Sequence, residues 1–156
     1  MFWKLTRKDF LTNRGEGNRL AQKRIVEAGD PPGLIAYVEG HPVGWIAIEP
    51  REKYSSLERS RILKPVDANN VYSITCFYVE KKYRLKGIST DLINAAVHYT
   101  ADKGAGIVEG YPTEVQNEKM PAPFVYTGLA SSFIQAGFTE VIRRSPKRPI
   151  MRYYNK

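Results

Sequence analysis

The stretch Cys76-Phe77-Tyr78-Val79-Glu80-Lys81-Lys82-Tyr83-Arg84-Leu85-Lys86-Gly87-Ile88-Ser89-Thr90-Asp91 decides the fold. It reads as the end of a buried strand, a short basic loop with one glycine, and a helix that starts at about Gly87 or Ile88. A loop at a helix start points unpaired N–H groups one way, and the helix dipole adds partial positive charge there. Glycine lets the backbone approach an anion closely. With Arg84 and Lys86 beside those amides, the loop is a phosphate cradle. Neither G-x-x-x-x-G-K-[ST] nor G-x-G-x-x-G is present, which points away from an NTP or a dinucleotide.

Upstream, Val71 to Val79 is the most strand-like run, with Val71, Ser73, Thr75, Phe77 and Val79 expected on one face and Tyr72, Ile74, Cys76 and Tyr78 on the other. Both faces are substantially apolar, so the strand should be central. Downstream, Ile88, Leu92, Ile93, Ala96, Val97 and Thr100 repeat at helical spacing, and Gly104 supplies the stop. Ala105 to Gly110 is a further short buried strand, and strand–helix–strand implies a right-handed parallel crossover. The cradle thus lies between two adjacent parallel strands.

The remaining segments extend that sheet. Phe2 to Leu5 is expected as a first strand, Asp9 to Thr12 as a helical turn, and Asn18 as the N-cap of a helix to Ala28 with Leu20, Ala21, Ile25 and Ala28 as its apolar stripe. Gly33 to Val38 and Val43 to Ile48 form a hairpin with His41 in its turn. Pro50 to Asn70 is a long mixed-charge segment, either one wall of a substrate cleft or an idle insertion. Tyr111 to Phe124 reads as a loop. Thr127 caps a helix to Ala136 with Leu129, Ala130, Phe133 and Ile134 inward, and Phe138 to Arg143 and Pro149 to Tyr154 are two final strands. The order is β-α-β-β-β-α-β-α-β-β, a mixed sheet with helices on its faces.

Composition narrows the chemistry. The 156 residues, 42% hydrophobic and 12% aromatic, fit one domain spanning 1–156. A net charge of +8 favours anionic partners: phosphorylated cofactors, acidic substrates or nucleic acid. One cysteine, Cys76, excludes an internal disulfide and a cysteine-based zinc site, and only His41 and His98 remain as imidazoles, so no metal is expected. Met1 to Phe10 does not read as a signal peptide. No apolar run approaches the roughly 18 residues that span a membrane. A cytoplasmic protein is expected.

The chain resembles the GCN5-related N-acetyltransferase (GNAT) family. Its acetyl-CoA signature, Arg/Gln-x-x-Gly-x-Gly/Ala after a strand and before a helix, stands here as Arg84-Leu85-Lys86-Gly87-Ile88-Ser89, with Ser89 replacing the last small residue. Phe133-Ile134-Gln135-Ala136-Gly137-Phe138 is similar to the family's later helix end and its turn into a strand. The resemblance implies an α/β (α+β) fold: a mixed, mostly antiparallel sheet with a central, splayed parallel pair and helices on both faces. It implies acetyl-CoA as cofactor, its pantetheine arm on the edge of Phe77 to Val79 and its diphosphate on the N–H groups of Leu85, Lys86, Gly87, Ile88, Ser89 and Thr90. Arg84 and Lys86 either reinforce the diphosphate or face solvent.

The implied reaction is attack of a neutral amine, on a small molecule or peptide, at the thioester carbonyl, with a strand N–H near Phe77 stabilising the oxyanion. A base must take the amine's proton, and an acid can return one to the thiolate. Phe133 occupies the family's usual tyrosine position and cannot donate. Tyr126 is the candidate donor or sulfur contact, or else a core or lid tyrosine. Glu109 is the candidate base, or else an arginine partner. Cys76 fits a buried structural cysteine better than a nucleophile. The arginines favour acidic acceptors. The resemblance leaves room for a homodimer. Two rivals stand beside this reading: a CoA-binding module without turnover, and a nucleic-acid-binding protein. The latter lacks an aromatic–basic strand motif and a basic recognition helix.

Overall fold

Helix α4 (Ile88–Asp102) starts directly after Gly87 and packs Leu92, Ile93, Ala96 and Val97 onto one face of a six-stranded sheet. The computed structural model describes residues 1–114 and 126–155. In chain order the other elements are α1 (Arg7–Thr12), α2 (Glu16–Glu27), β1 (Gly33–Val38), β2 (His41–Pro50), α3 (Ser55–Glu58), β3 (Tyr72–Val79), β4 (Ile107–Gly110), α5 (Ala130–Gln135), β5 (Thr139–Arg143) and β6 (Pro149–Tyr154). Strand order is β1-β2-β3-β4-β6-β5, antiparallel throughout except for the parallel pair β3–β4. Among the described residues no helix is long and apolar enough to cross a membrane.

The parallel pair matches only Tyr72, Ser73 and Ile74 with Val108, Glu109 and Gly110. Beyond Ile74, β3 runs on to Val79 while β4 has ended, so the strands part there. Phe133 of α5 holds the parting open. A Cβ on Gly110 would come within 2.1 Å of its ring, and one on Gly128 within 2.9 Å, so both glycines exist to let that ring in. The ring stands edge-on to Phe77 at 5.9 Å and to Phe138 at 5.0 Å. These side chains join Ile46, Ile48, Ile74 and the α4 stripe in the main core. Burial of such apolar surface, at about 25 cal/mol per Å², is what holds α4 and α5 on this face.

Several expectations are corrected. Phe2 to Leu5 forms turns instead of a strand. The helix expected from Asn18 begins at Glu16, and Asn18 lies inside it, donating through Nδ2 to Phe10 O at 2.9 Å. The α2 stripe stays largely uncovered, with Leu20 exposed. The hairpin turn is Glu39-Gly40, at φ 49° and 78°, the left-handed pair that fits strand twist, and His41 already belongs to β2. Helix α5 starts at Ala130 instead of after Thr127, which is buried, and Leu129 and Ile134 face outward.

The faces of β3 also differ from strict alternation. A register shift opposite Ala47/Ile48 inserts Thr75 as an extra residue, so Tyr72 and Ile74 share the α4 face with Phe77 and Val79. Cys76 turns to the opposite face. One bulge residue thus re-aims the distal half of the strand. Most of the expected loop from Tyr111 to Phe124 lies outside the described residues.

Candidate active site

The cradle is built as its composition requires. After the turn Lys81–Tyr83, Arg84 is extended, Leu85 sits at φ 60° with its side chain fully exposed, and Gly87 sits at φ 84°. Left-handed residues of this kind give the backbone of an anion-binding nest. The Thr90 N–H is engaged with Gly87 O at 2.8 Å. Among the described residues no acceptor is paired with the N–H groups from Leu85 to Ser89. A Cβ on Gly87 would meet only Asp91 Oδ2, at 3.9 Å, so space above the loop is open. Arg84 donates from Nε to Val79 O at 2.9 Å and lines the cavity. Lys86 does not line it; its ammonium lies over the Tyr83 ring at 5.3 Å.

From this loop a cavity of about 750 Å³ runs along the parted edge of β3. Phe77, Val79, Arg84, Leu85, Gly87, Ile88, Ser89 and Thr90 line one side, and Gly128, Leu129, Ser132 and Gln135 the other. Thr90 Oγ1 donates to Gln135 Oε1 at 3.2 Å, tying the two walls. The free amides, the arginine and an elongated channel suit a long ligand with a phosphate group at this end. The Phe77 N–H, expected as an oxyanion donor, is already bonded to Tyr126 O at 2.6 Å. Two residues on, the Val79 N–H points to the same edge by strand parity.

A second cavity, of about 350 Å³, lies on the opposite face of β2 and β3. Trp45, Ala47 and Glu49 of β2, Thr75 and Cys76 of β3, Tyr54, and the turn residues Phe2, Trp3 and Lys4 line it. The segment from Pro50 to Asn70 therefore supplies Tyr54 to a wall, and its other apolar residues Leu57 and Leu63 pack into a smaller core. Tyr126 lines both cavities, so the two adjoin at this residue. Burial pushes its phenol up and Arg148 opposes that, which keeps the hydroxyl protonated at neutral pH. Burial likewise raises the Cys76 thiol, which leaves no activated nucleophile there. Phe133, fully buried, lines neither cavity.

Glu49 was missed in the sequence because the apolar run was ended at Ile48. It is 2% exposed and faces the second cavity. Lys4 Nζ donates to its Oε1 at 2.7 Å and stands 2.6 Å from Oε2, which completes no hydrogen bond. The signal was a carboxylate continuing the Trp45, Ala47 alternation of an otherwise apolar strand.

Glu109 lies elsewhere, fully buried in a closed network. Arg152 Nε donates to Oε2 at 2.7 Å, Tyr111 Oη to Oε1 at 2.7 Å, and Arg51 Nη1 reaches Oε1 at 3.2 Å. Tyr111 Oη also accepts from Arg51 Nη1 at 2.6 Å and pairs with Ser73 Oγ at 2.8 Å. Both carboxylate oxygens are taken, and Glu109 lines neither cavity.

Comparison with known proteins follows this geometry. The family model described as Acetyltransferase (GNAT) family matches residues 1–125. No curated protein matches the sequence. The crystal structure of PaiA N-acetyltransferase from Thermoplasma acidophilum in complex with coenzyme A is similar at 16% identity and TM-score 0.57, over 95% of this chain and 77% of that one. A putative GNAT-family acetyltransferase of Desulfovibrio desulfuricans is similar at 15% identity and TM-score 0.56, over 90% and 82%. YncA of Salmonella typhimurium, a putative acetyltransferase with its cofactor acetyl-CoA, gives 14% and 0.56 over 90% and 74%. At these identities the structural likeness speaks for the fold. The family match over most of the length, on a sheet whose parallel pair parts after three registered residues, means that the chain belongs to the GNAT family of acetyltransferases.

Proposed function

We propose that the protein transfers an acetyl group from acetyl-CoA to a primary amine. One observation carries this reading: a cavity holding a buried carboxylate and a cavity starting at a phosphate cradle adjoin at Tyr126, where β3 and β4 part. Leu85 to Ser89 hold the diphosphate through backbone N–H groups and Arg84 adds charge, while the edge of Val79 orients the pantetheine arm. The cofactor supplies an acyl group activated as a thioester. Phosphate contacts of this kind are charge-assisted and so among the stronger hydrogen bonds.

Glu49 replaces Glu109 in the role of base. Its Oε2 takes the proton that the ammonium must lose before nitrogen can attack, while both oxygens of Glu109 are already committed to guanidinium groups. Tyr126 Oη holds the proton that the departing sulfur accepts. Phe133 keeps a packing role.

Purified protein is mixed with acetyl-CoA and a panel of amines, and free thiol is followed. Amine-dependent thiol release above hydrolysis, lost in Glu49→Gln and retained in a folded Cys76→Ala variant, is expected. Tight CoA binding with no amine-dependent release would overturn the reading.

A further inference from the structure

The second cavity carries more information than a place for some amine. Five buried side-chain polar atoms lack a hydrogen-bond partner among the described residues, and four of them, Trp3 Nε1, Glu49 Oε2, Tyr54 Oη and Thr75 Oγ1, belong to residues that line this cavity. Tyr54 Oη lies within reach of Glu49 and Thr75, so these three groups form one polar cluster in the cavity wall. Tyr54 and Glu49 are each 2% exposed and Thr75 is 0% exposed, so bulk water does not serve them. Buried polar atoms are nearly always paired, and a concentration of unpaired ones marks a place where a ligand supplies the partners.

The charge of the lining is equally selective. Among its described side chains only Glu49 and Lys4 are charged, and no arginine faces in. The remaining surface is dominated by Phe2, Trp3, Phe10, Trp45, Tyr54 and Tyr126. The chain also displays what this surface accepts. Lys4 lines it, sets its ammonium on Glu49 at 2.7 Å and places that ammonium 5.9 Å from the centre of the Tyr54 ring. An ammonium on an apolar stem, held by one carboxylate and an aromatic face, is a complete recognition unit.

Resting on the acetyl-transfer reading above, we infer that the acceptor is a primary amine on an apolar or aromatic body, and that it takes the seat on Glu49 now held by Lys4. The composition's preference for acidic acceptors does not extend to this cavity, because the arginines are elsewhere. An acidic amine finds no arginine in this lining, and Lys4 is itself neutralised by Glu49. A polyamine brings a second ammonium into a site with one carboxylate. The cavity of about 350 Å³ is small for a ligand site, which suits a single ring or short chain.

The test uses the whole chain with acetyl-CoA and three acceptors: phenethylamine, glutamate and spermidine. Thiol release should give phenethylamine a kcat/KM at least about tenfold above the other two. Lys4→Met, which frees Glu49, should lower the KM for phenethylamine several-fold and leave that for glutamate unimproved. In parallel, calorimetry with the CoA-loaded protein should show phenethylamine binding that weakens about tenfold or more in Glu49→Gln. Preference for glutamate or spermidine, or phenethylamine binding indifferent to Glu49, would overturn the acceptor class while acetyl transfer stood. Glu49-dependent binding of phenethylamine without thiol release from any amine would instead support the acceptor class and sink the transfer reaction.

Discussion

Glu49 and Glu109 stand in one row across the sheet, Glu49 opposite Ser73, Ser73 opposite Glu109, Glu109 opposite Arg152. Both are buried glutamates on the same face, yet their surroundings differ in kind. Glu109 has its two oxygens closed by two guanidinium groups and a phenol. Glu49 has Lys4 at 2.7 and 2.6 Å from its two oxygens, Lys53 at 3.8 Å, no guanidinium group, and a cavity in front of it. Burial by itself therefore says little about a carboxylate's role. What separates a rivet from a reagent is whether its lone pairs are already spoken for.

Replacing Glu109 by alanine should break the comparison most violently. It strands Arg51 and Arg152 in a buried site, and removing one partner of such a network costs about 3–5 kcal/mol, measurable by urea denaturation. A loss under about 1 kcal/mol would mean that the network does not hold the fold. Glu49→Gln should do the reverse, lowering kcat/KM about a hundredfold while stability moves within about 1 kcal/mol. Unfolding of this variant would place Glu49 among the structural acids. Tyr126→Phe tests the donor at the junction. A fall in kcat of roughly tenfold is expected, smaller than a full general-acid effect, because a thiolate leaves more readily than most groups.

The smallest effect is read in pH. Arg152, together with the Asn69 amide, holds the Asp67 carboxyl down to about 2 from its ordinary 3.8. A folded value below the unfolded one means that the contribution is present above about pH 4 and is lost as pH falls toward 2. Asp67→Asn should lower the stability–pH curve above about pH 4, leave it almost unmoved near pH 2, and so flatten that part of the acid limb. A curve unchanged between about pH 5 and pH 2 would mean that Arg152 serves Glu109 alone.

The strand, basic loop, glycine and helix from Cys76 to Asp91 were legible in the sequence because they are contiguous. Pairing of Glu109 with an arginine was legible as an alternative, but the partners were not, since Arg51 and Arg152 lie 58 and 43 positions away. The extra residue at Thr75 has no signature of its own, and it reversed the faces expected for Phe77 and Cys76. Phe2 to Leu5 has the composition of a strand, but its aromatic rings line the second cavity instead of pairing an edge. Glu49 depended on that cover, on Tyr54 and on Lys4, three contacts that only the folded chain brings together.

The brevity of the β3–β4 ladder has a mechanical consequence. With three registered pairs at its centre, the sheet is two three-stranded plates, β1-β2-β3 and β4-β6-β5, that meet along a short seam. The Ser73–Tyr111–Glu109 bonds cross that seam on one face, and the Phe133 ring is wedged beside it on the other. Side chains thus act as the hinge pin where backbone hydrogen bonds are few. A seam held this way depends on Tyr111 and Phe133 for the coupling that a longer ladder would supply through its backbone.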